Sequence, residues 1–549
     1  MGGSSLASLP PCQMEGGASK IPLTPNSLDA RFPLWTEIAG RSGQSGQLDG
    51  QGAAAEKKRD GKCMMNLSDF SFTTDLDENV ARMKQLFAHD NTFICRVVQG
   101  RGSPALRAAL FFFDGMVNSE SINESILRPI SLWNGTPLPM DAVIHEVLHI
   151  DDCPFDPGMD KLFAAFLYGD TILLVDGDSR PAVVNTKGFA KRGPEEPDNE
   201  KVLRGPREGF TEAFMGNLAL IRRRLRTPQL CFEFMQVGSV SHTTVCVCYL
   251  DGIADQTILK VVKQRVQDID LDAVLDANYL NEMIRDNRTS PFPTAGFTER
   301  PDIVAAKLLE GRIALVVDGT PVVLTIPHIL QETFQANDDY YISYLYTNLT
   351  RWLRMLGFVL TLTLPAVYVS LLTWHQEMIP TRLLFSIAAS RQGVPFTTFT
   401  EAVGTLIVFE ILKEAGTRTP DTIGQALSIV GGLVLGQAAV EARFVSAPMV
   451  IVIAFSGVTA LIVPKLRTAT LIYRFFLLVC AAVLGLYGVL LGLGIILAHV
   501  CRLTSFGVPY LTNLLSAETR SHDDVLLRFP WFAMKPDRRF LAGWNRVNR

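Results

Sequence analysis

Five residues, His145-Glu146-Val147-Leu148-His149, match the H-E-x-x-H pattern in which two histidines one helical turn apart chelate zinc and the glutamate serves as base. The surroundings do not extend the motif. Ile150-Asp151-Asp152-Cys153-Pro154 follows in place of a Gly-x-x-His ligand, so a third ligand would have to come from elsewhere. Cys246 and Cys248 lie two apart on one strand face, but no second pair completes a zinc site, and core packing accounts for them. No G-x-S-x-G, Walker A or G-x-G-x-x-G motif is present. We therefore expect no enzyme, no catalytic residues, no cofactor and no metal.

A different chemistry is carried by acids in apolar surroundings. Glu401 and Glu410 interrupt the apolar stretch 394–412, and Gln437 and Glu441 close another. Ionised groups in hydrocarbon are expensive, so such positions face a bundle interior, a pore or a partner. Nine residues on a helix turn through about 900°, which points Glu401 and Glu410 to opposite faces. Gly424, Ser428, Gly432 and Gly436 put a small residue at every fourth position of 422–440, and Gly488 with Gly492 repeats the device. Such a ladder forms a groove for a close-packed helix. A cationic stretch precedes them. Arg207 and Glu208 follow a Gly-Pro turn, and Arg222, Arg223 and Arg224 then point about 100° apart on a helix, which suits an assembly surface better than one anion pocket.

The elements that must position these residues divide the 549-residue chain in two. Residues 1–62 are rich in Gly, Ser, Ala and Gln, and we expect a disordered extension without a cleavable signal. Residues 63–346 alternate β-rich and helical patterns. An apolar strand ending in Asp-Gly occurs at 110–115 and again at 247–252, and a second pair at 169–177 and 311–319. Matching order at offsets of 137 and 142 residues predicts two related α/β subdomains, 63–232 and 233–346. Beyond 347 the chain is a membrane candidate, consistent with 48% hydrophobic and 19% charged residues overall. Spans are predicted at 355–374, 444–464 and 475–500, with weaker ones at 394–412 and 422–440. Arg351 and Arg354 place the start of the first span in the cytoplasm, and the cationic tail (506–549) belongs there too. An even number of crossings is then needed; either 382–390 helps make a sixth, or one weak segment re-enters without crossing. The fold class expected is an α/β cytoplasmic region of two related subdomains followed by an α-helical polytopic transmembrane domain (347–505). A net charge of −4 gives no field for nucleic acid, and nine scattered cysteines give no disulfide framework.

Several separated motifs resemble one family: Arg204-Gly-Pro-Arg-Glu-Gly-Phe-Thr-Glu212, Ala219-Leu-Ile-Arg-Arg-Arg224, Asn287 to Pro293, Glu299-Arg-Pro-Asp302, Glu377-Met-Ile-Pro-Thr381, Gly436-Gln-Ala-Ala-Val-Glu441 and Ser505-Phe-Gly-Val-Pro-Tyr510. They are similar to the A subunit of bacterial spore germinant receptors over about Phe70 to Trp531. The resemblance implies a multi-pass protein of the spore inner membrane. It would be a homo-oligomer that forms an ion channel and acts with a transporter-like B subunit, which holds the nutrient, and a C subunit lipoprotein. A paralogous group amplifies germination without sensing nutrients, and a non-conducting scaffold is the alternative reading. Relatives often carry a further acid where Leu406 stands, so this chain departs from them on that helix.

Overall fold

Asp-Gly dipeptides set the turns of the α/β region. Gly115, Gly177, Gly252 and Gly319 have φ of +77°, +88°, +80° and +82°, the left-handed backbone that glycine adopts without strain. In the computed structural model the described residues are 70–148, 153–188, 197, 200, 202–418, 434–512, 527–530 and 532. The 1–62 extension, His149, Gly424, Ser428 and Gly432 lie outside them.

The first sheet joins β1 (Phe93–Gln99), β2 (Arg107–Phe113), β3 (Thr171–Val175) and β4 (Ala182–Val184), antiparallel and in chain order. The second joins β5 (Leu230–Val237), β6 (Thr243–Leu250), β7 (Gly296–Thr298), β8 (Ile313–Val317) and β9 (Val323–Ile326) in the order β5-β6-β8-β9-β7. Its first four neighbours repeat the arrangement of the first sheet, and the recurring Asp-Gly strands are β2 with β6 and β3 with β8. The predicted division at Glu233 is corrected. Glu233 sits in the middle of β5, opposite Val247 in one continuous ladder, so the second unit begins by Leu230.

Both faces of each sheet are covered, which is why β3 and β8 read as unbroken apolar runs. Helices α1 (Leu76–Leu86) and α2 (Met159–Phe166) close one phenylalanine-rich face of the first sheet. On the second sheet, α3 (Phe214–Arg224) and α6 (Pro301–Leu309) cover one face, and α4 (Gln256–Gln267) and α5 (Ala277–Ile284) the other.

The helical part comprises α7 (Tyr344–Thr373), α8 (Thr381–Ser390), α9 (Thr398–Arg418), a helical stretch at 434–441, α10 (Ala447–Ala460) and α11 (Arg467–Arg502). By length and composition, α7 and the stretch Pro464–Arg502 are long and apolar enough to cross a membrane. Pro365 removes the N–H that would bond the Thr361 carbonyl inside α7; the Ser456 hydroxyl of α10 donates to that carbonyl instead, at 3.2 Å. The Thr361 and Thr459 hydroxyls meet beside it at 2.8 Å.

The span predicted at 475–500 is not one helix crossing once. Gly485, at φ 61° and ψ −140°, breaks α11 into two arms that fold back on each other. The rings of Tyr473 and His499 lie 6.4 Å apart, although 26 residues of straight helix would separate them by about 39 Å. Gly488 and Gly492 are the contact points. A Cβ on Gly488 would collide with the Cys480 carbonyl, and one on Gly492 would come within 2.6 Å of Leu477. After the second arm, β10 (Thr504–Ser505) and β11 (Val508–Pro509) return to the α/β region, where the Ser505 hydroxyl donates to the Thr294 carbonyl (2.6 Å) and accepts the His328 N–H (3.0 Å).

Two substitutions test this reversal. Gly485→Ala places a side chain in a glycine-only backbone region against Trp374 and His375 and should destabilise by about 1–3 kcal/mol. Gly488→Leu should prevent the arms from closing. Both are checked by thermal unfolding in detergent, and unchanged midpoints for both would refute the hairpin.

Candidate functional site

The acids of the helical part are held very differently. Glu401 is buried, and its Oε1 accepts the backbone N–H (2.6 Å) and the hydroxyl (2.5 Å) of Ser446. Ser446 is the residue before the first turn of α10, so Glu401 caps that helix and meets its positive end. The Arg391 guanidinium stands 3.5 Å from the other oxygen. Glu410 lies between Lys413 and Arg474, 3.6 Å from each. Glu414, one turn further, bonds Arg418 (2.7 Å) and Arg467 (3.4 Å) at the foot of α11. Gln437 and Glu441 are exposed, on a stretch where Val434, Leu435 and Phe444 are also exposed. The structure thus does not bring the four predicted polar positions together. Two are engaged inside the chain and two face outward. Gly436, in the same stretch, has open space where a Cβ would stand.

The arginine triplet corrects the expectation of an assembly surface. Arg222 is 1% exposed, paired with Asp90, and its guanidinium stacks over Phe113 of β2 (4.1 Å) and Phe232 of β5 (4.7 Å). It joins the two sheets, because a helical residue on the core side of α3 has nowhere else to place its charge. Arg223 and Arg224 converge on Glu208 at 3.4 and 2.7 Å, folding the Gly-Pro turn back onto α3. Arg207 remains exposed.

Residues not singled out by their spacing dominate the junction between the α/β region and the helices. Asp339, buried just before α7, receives Arg351 at 2.9 Å and Arg354 at 2.8 and 2.9 Å. Arg528 reaches the same place: its guanidinium donates to the Asp339 and Ile342 carbonyls, and its backbone exchanges hydrogen bonds with Asn348. Arg351 and Arg354 announced themselves as flanking cations, but nothing local to Asp339 marks it as their partner. Beside this clamp, Glu332 is enclosed by Arg312, Lys307 and His328. Burial alone would raise the Glu332 carboxyl, yet Arg312, Lys307 and His328 outweigh it and hold it far below the ordinary range. Burial lowers His328, and Glu332 offsets only part of that.

The zinc pattern gains no support from its surroundings. His145 lies in a π-helical turn, Val143–Val147, 3.7 Å from Asp141 and exposed. Among the described residues, no group of three or more His, Cys, Asp or Glu side chains could hold a metal ion. The Cys246 and Cys248 sulfurs approach to 3.5 Å inside the core, where burial pushes the Cys246 thiol well up.

Two consecutive antiparallel sheet units thus precede a helical part that carries the family-like motifs. Residues 81–540 match the family described as Bacillus/Clostridium GerA spore germination protein, and the chain belongs to that family. It is 41% identical over 428 residues to an uncharacterized membrane protein, YfkQ, of Bacillus subtilis, covering 77% of this chain and 83% of that one. It is 39% identical over 464 residues to spore germination protein KA of the same organism, covering 83% and 85%. Of solved structures, the N-terminal domain of the A subunit of the Bacillus megaterium spore germinant receptor GerK3 aligns at 29% identity and a TM-score of 0.35, over 47% of this chain and 96% of that one.

Removing one partner of a buried ion pair leaves the other uncompensated, so Glu332→Gln should destabilise the fold by about 3–5 kcal/mol. Because the folded carboxyl titrates below its ordinary value of 4.5, its contribution is complete above that pH and is lost as the pH falls below it. Denaturant unfolding as a function of pH should therefore show a shallower acid limb for the variant; parallel limbs would contradict the assignment.

Proposed function

We propose that this chain is the A-type membrane subunit of a spore germinant receptor, forming an oligomeric ion channel in the spore inner membrane with its α/β region on the cytoplasmic side. A transporter-like B subunit would bind the nutrient, a C subunit lipoprotein would complete the receptor, and the nutrient-bound partner would favour the open state. Such a shift requires the partner to interact differently with the closed and open arrangements. Membership of the family supports the role in germination.

For conduction, the observation that carries the reading is the contrast among the acids. Glu401, Glu410 and Glu414 are neutralised by cations of the same chain, whereas Gln437 and Glu441 face outward on an apolar helical stretch. An exposed carboxylate there is tolerable in hydrocarbon if neighbouring copies enclose a hydrated path around it. The hairpin of α11 also bears on the crossing number. Pairing of Glu401 with Ser446 and of Glu414 with Arg467 sets α9 and α10 side by side, both running toward the α/β region. On this reading α7, α9, α10 and the two arms of α11 would each cross, α7 and the first arm leading away from the α/β region and the others toward it. Both ends of the helical part meet the same side, as the cationic flanks require.

The purified oligomer in liposomes tests this reading. We expect monovalent ion flux that Glu441→Gln changes at least severalfold while assembly, followed by size exclusion, is unaltered. Wild-type oligomer without flux would favour the non-conducting scaffold instead.

A further inference from the structure

A cavity of about 440 Å³ opens between α5, the loop 285–293 and the foot of α11, bordered by Asn278, Asn281, Arg285, Ser290, Lys465 and Thr468. Among the described residues no carboxylate forms an ion pair with either of its two cations, Arg285 and Lys465. Arg285 gives one guanidinium N–H to the Arg288 carbonyl (2.7 Å), but its Nε is buried with no hydrogen-bond partner among the described residues. The carboxylate next to it in sequence, Asp286, is already engaged by Arg265 (2.6 Å), the Thr504 hydroxyl (2.9 Å) and the Gly507 N–H (3.3 Å). Lys465 is exposed, and no ion pair to a described residue holds it. Glu332, on the other side of His328, is taken by Arg312 and Lys307. Glu282, the acid that borders the cavity among the described residues, is exposed and accepts from the Asn278 amide at 3.2 Å. The first turn of α11 begins two residues after Lys465 and adds the positive end of a helix to the same wall.

We propose that this cavity binds a phosphate group through Arg285 and Lys465, presented either by an acidic phospholipid headgroup or by free inorganic phosphate. Two cations, amide and hydroxyl donors and a helix start are the chemistry that recognises a phosphate oxyanion. The place suits a headgroup. Phe292, on the same loop, packs 5.4 Å from Tyr473 on the first arm of α11, and the Ser290 hydroxyl meets His499 of the second arm at 3.0 Å. The loop therefore lies where both arms emerge toward the α/β region. The headgroup form rests on the membrane reading above, because it requires the bilayer surface to run past Lys465; the free-phosphate form does not.

The test uses the full chain, delipidated in detergent, with two probes. Binding of inorganic phosphate is followed by titration calorimetry, and retention of phosphatidylglycerol against phosphatidylcholine by native mass spectrometry. We expect saturable, one-to-one binding of at least one anionic probe, weakened about tenfold or more by Arg285→Gln with Lys465→Gln, as the loss of charge-assisted hydrogen bonds implies. Lys465→Arg should retain it, and Lys260→Gln, at another exposed lysine, should leave it unchanged. Lys465→Gln alone changes a side chain at the surface and keeps the test valid should the double variant not fold. Retention of phosphatidylglycerol alone assigns the lipid, and binding of phosphate alone assigns the free ion. Binding of neither probe, or equal binding by wild type and the Lys465→Gln variant, overturns the proposal. Since the readout is binding and not flux, a chain that conducts nothing leaves this result standing.

Discussion

A charge withdrawn from water has to meet an opposite charge or a hydrogen bond of comparable strength, and the architecture depends on how that requirement is met at Asp339. One buried carboxylate receives Arg351 and Arg354 from the first turns of α7, while Arg528, from the far end of the chain, closes over its backbone carbonyl. Three parts of the chain are thereby tied at one point: the end of the second sheet unit, the base of the longest uninterrupted helix and the C-terminal segment. Loss of Asp339 would take away the carboxylate that both Arg351 and Arg354 engage there. The same logic joins the two sheets through Arg222 and Asp90, and braces the second sheet through Arg312 and Glu332. Arg222 and Asp90 connect elements that share no hydrogen-bonded ladder, so that ion pair sets orientation where backbone pairing does not; Arg312 and Glu332 instead fasten the flank of the β8–β9 ladder.

Away from the junction, small residues and hydroxyls take over. Pro365 frees a carbonyl that Ser456 satisfies, Thr361 and Thr459 bond beside it, and Gly485, Gly488 and Gly492 let the arms of α11 touch backbone to backbone. Close approach and shared hydrogen bonds are what specify this one arrangement of helices. The strap formed by β10 and β11 then carries the second arm back to Thr294, His328 and Asp286. The helical part is consequently anchored to the second sheet unit at the start of α7, at the foot of the first arm and at the end of the second.

Much of this was legible in the chain itself. Asp-Gly after an apolar run specifies a tight turn wherever it occurs, so the four turns and the repeated order of strands follow from residue type and spacing. Unbroken apolar runs marked the buried strands and the helical half, and Arg351 and Arg354 marked the foot of α7. These are local properties, and they survive folding because backbone sterics and hydropathy act over a few residues. What tertiary structure alone decided are the long-range partners and the reversals. Hydropathy is blind to direction, so 475–500 reads as one helix until the Gly485 dihedrals turn it back on itself. Three consecutive arginines read as a surface until Arg222 meets Asp90, 132 residues upstream, between two phenylalanine rings. Glu401 and Glu410 stand out as costly acids, but whether each lines a passage or caps and pairs within the chain depends on Ser446 and Arg474, which spacing does not supply. Charge is written in the sequence; the place where it is neutralised is a property of the packed chain.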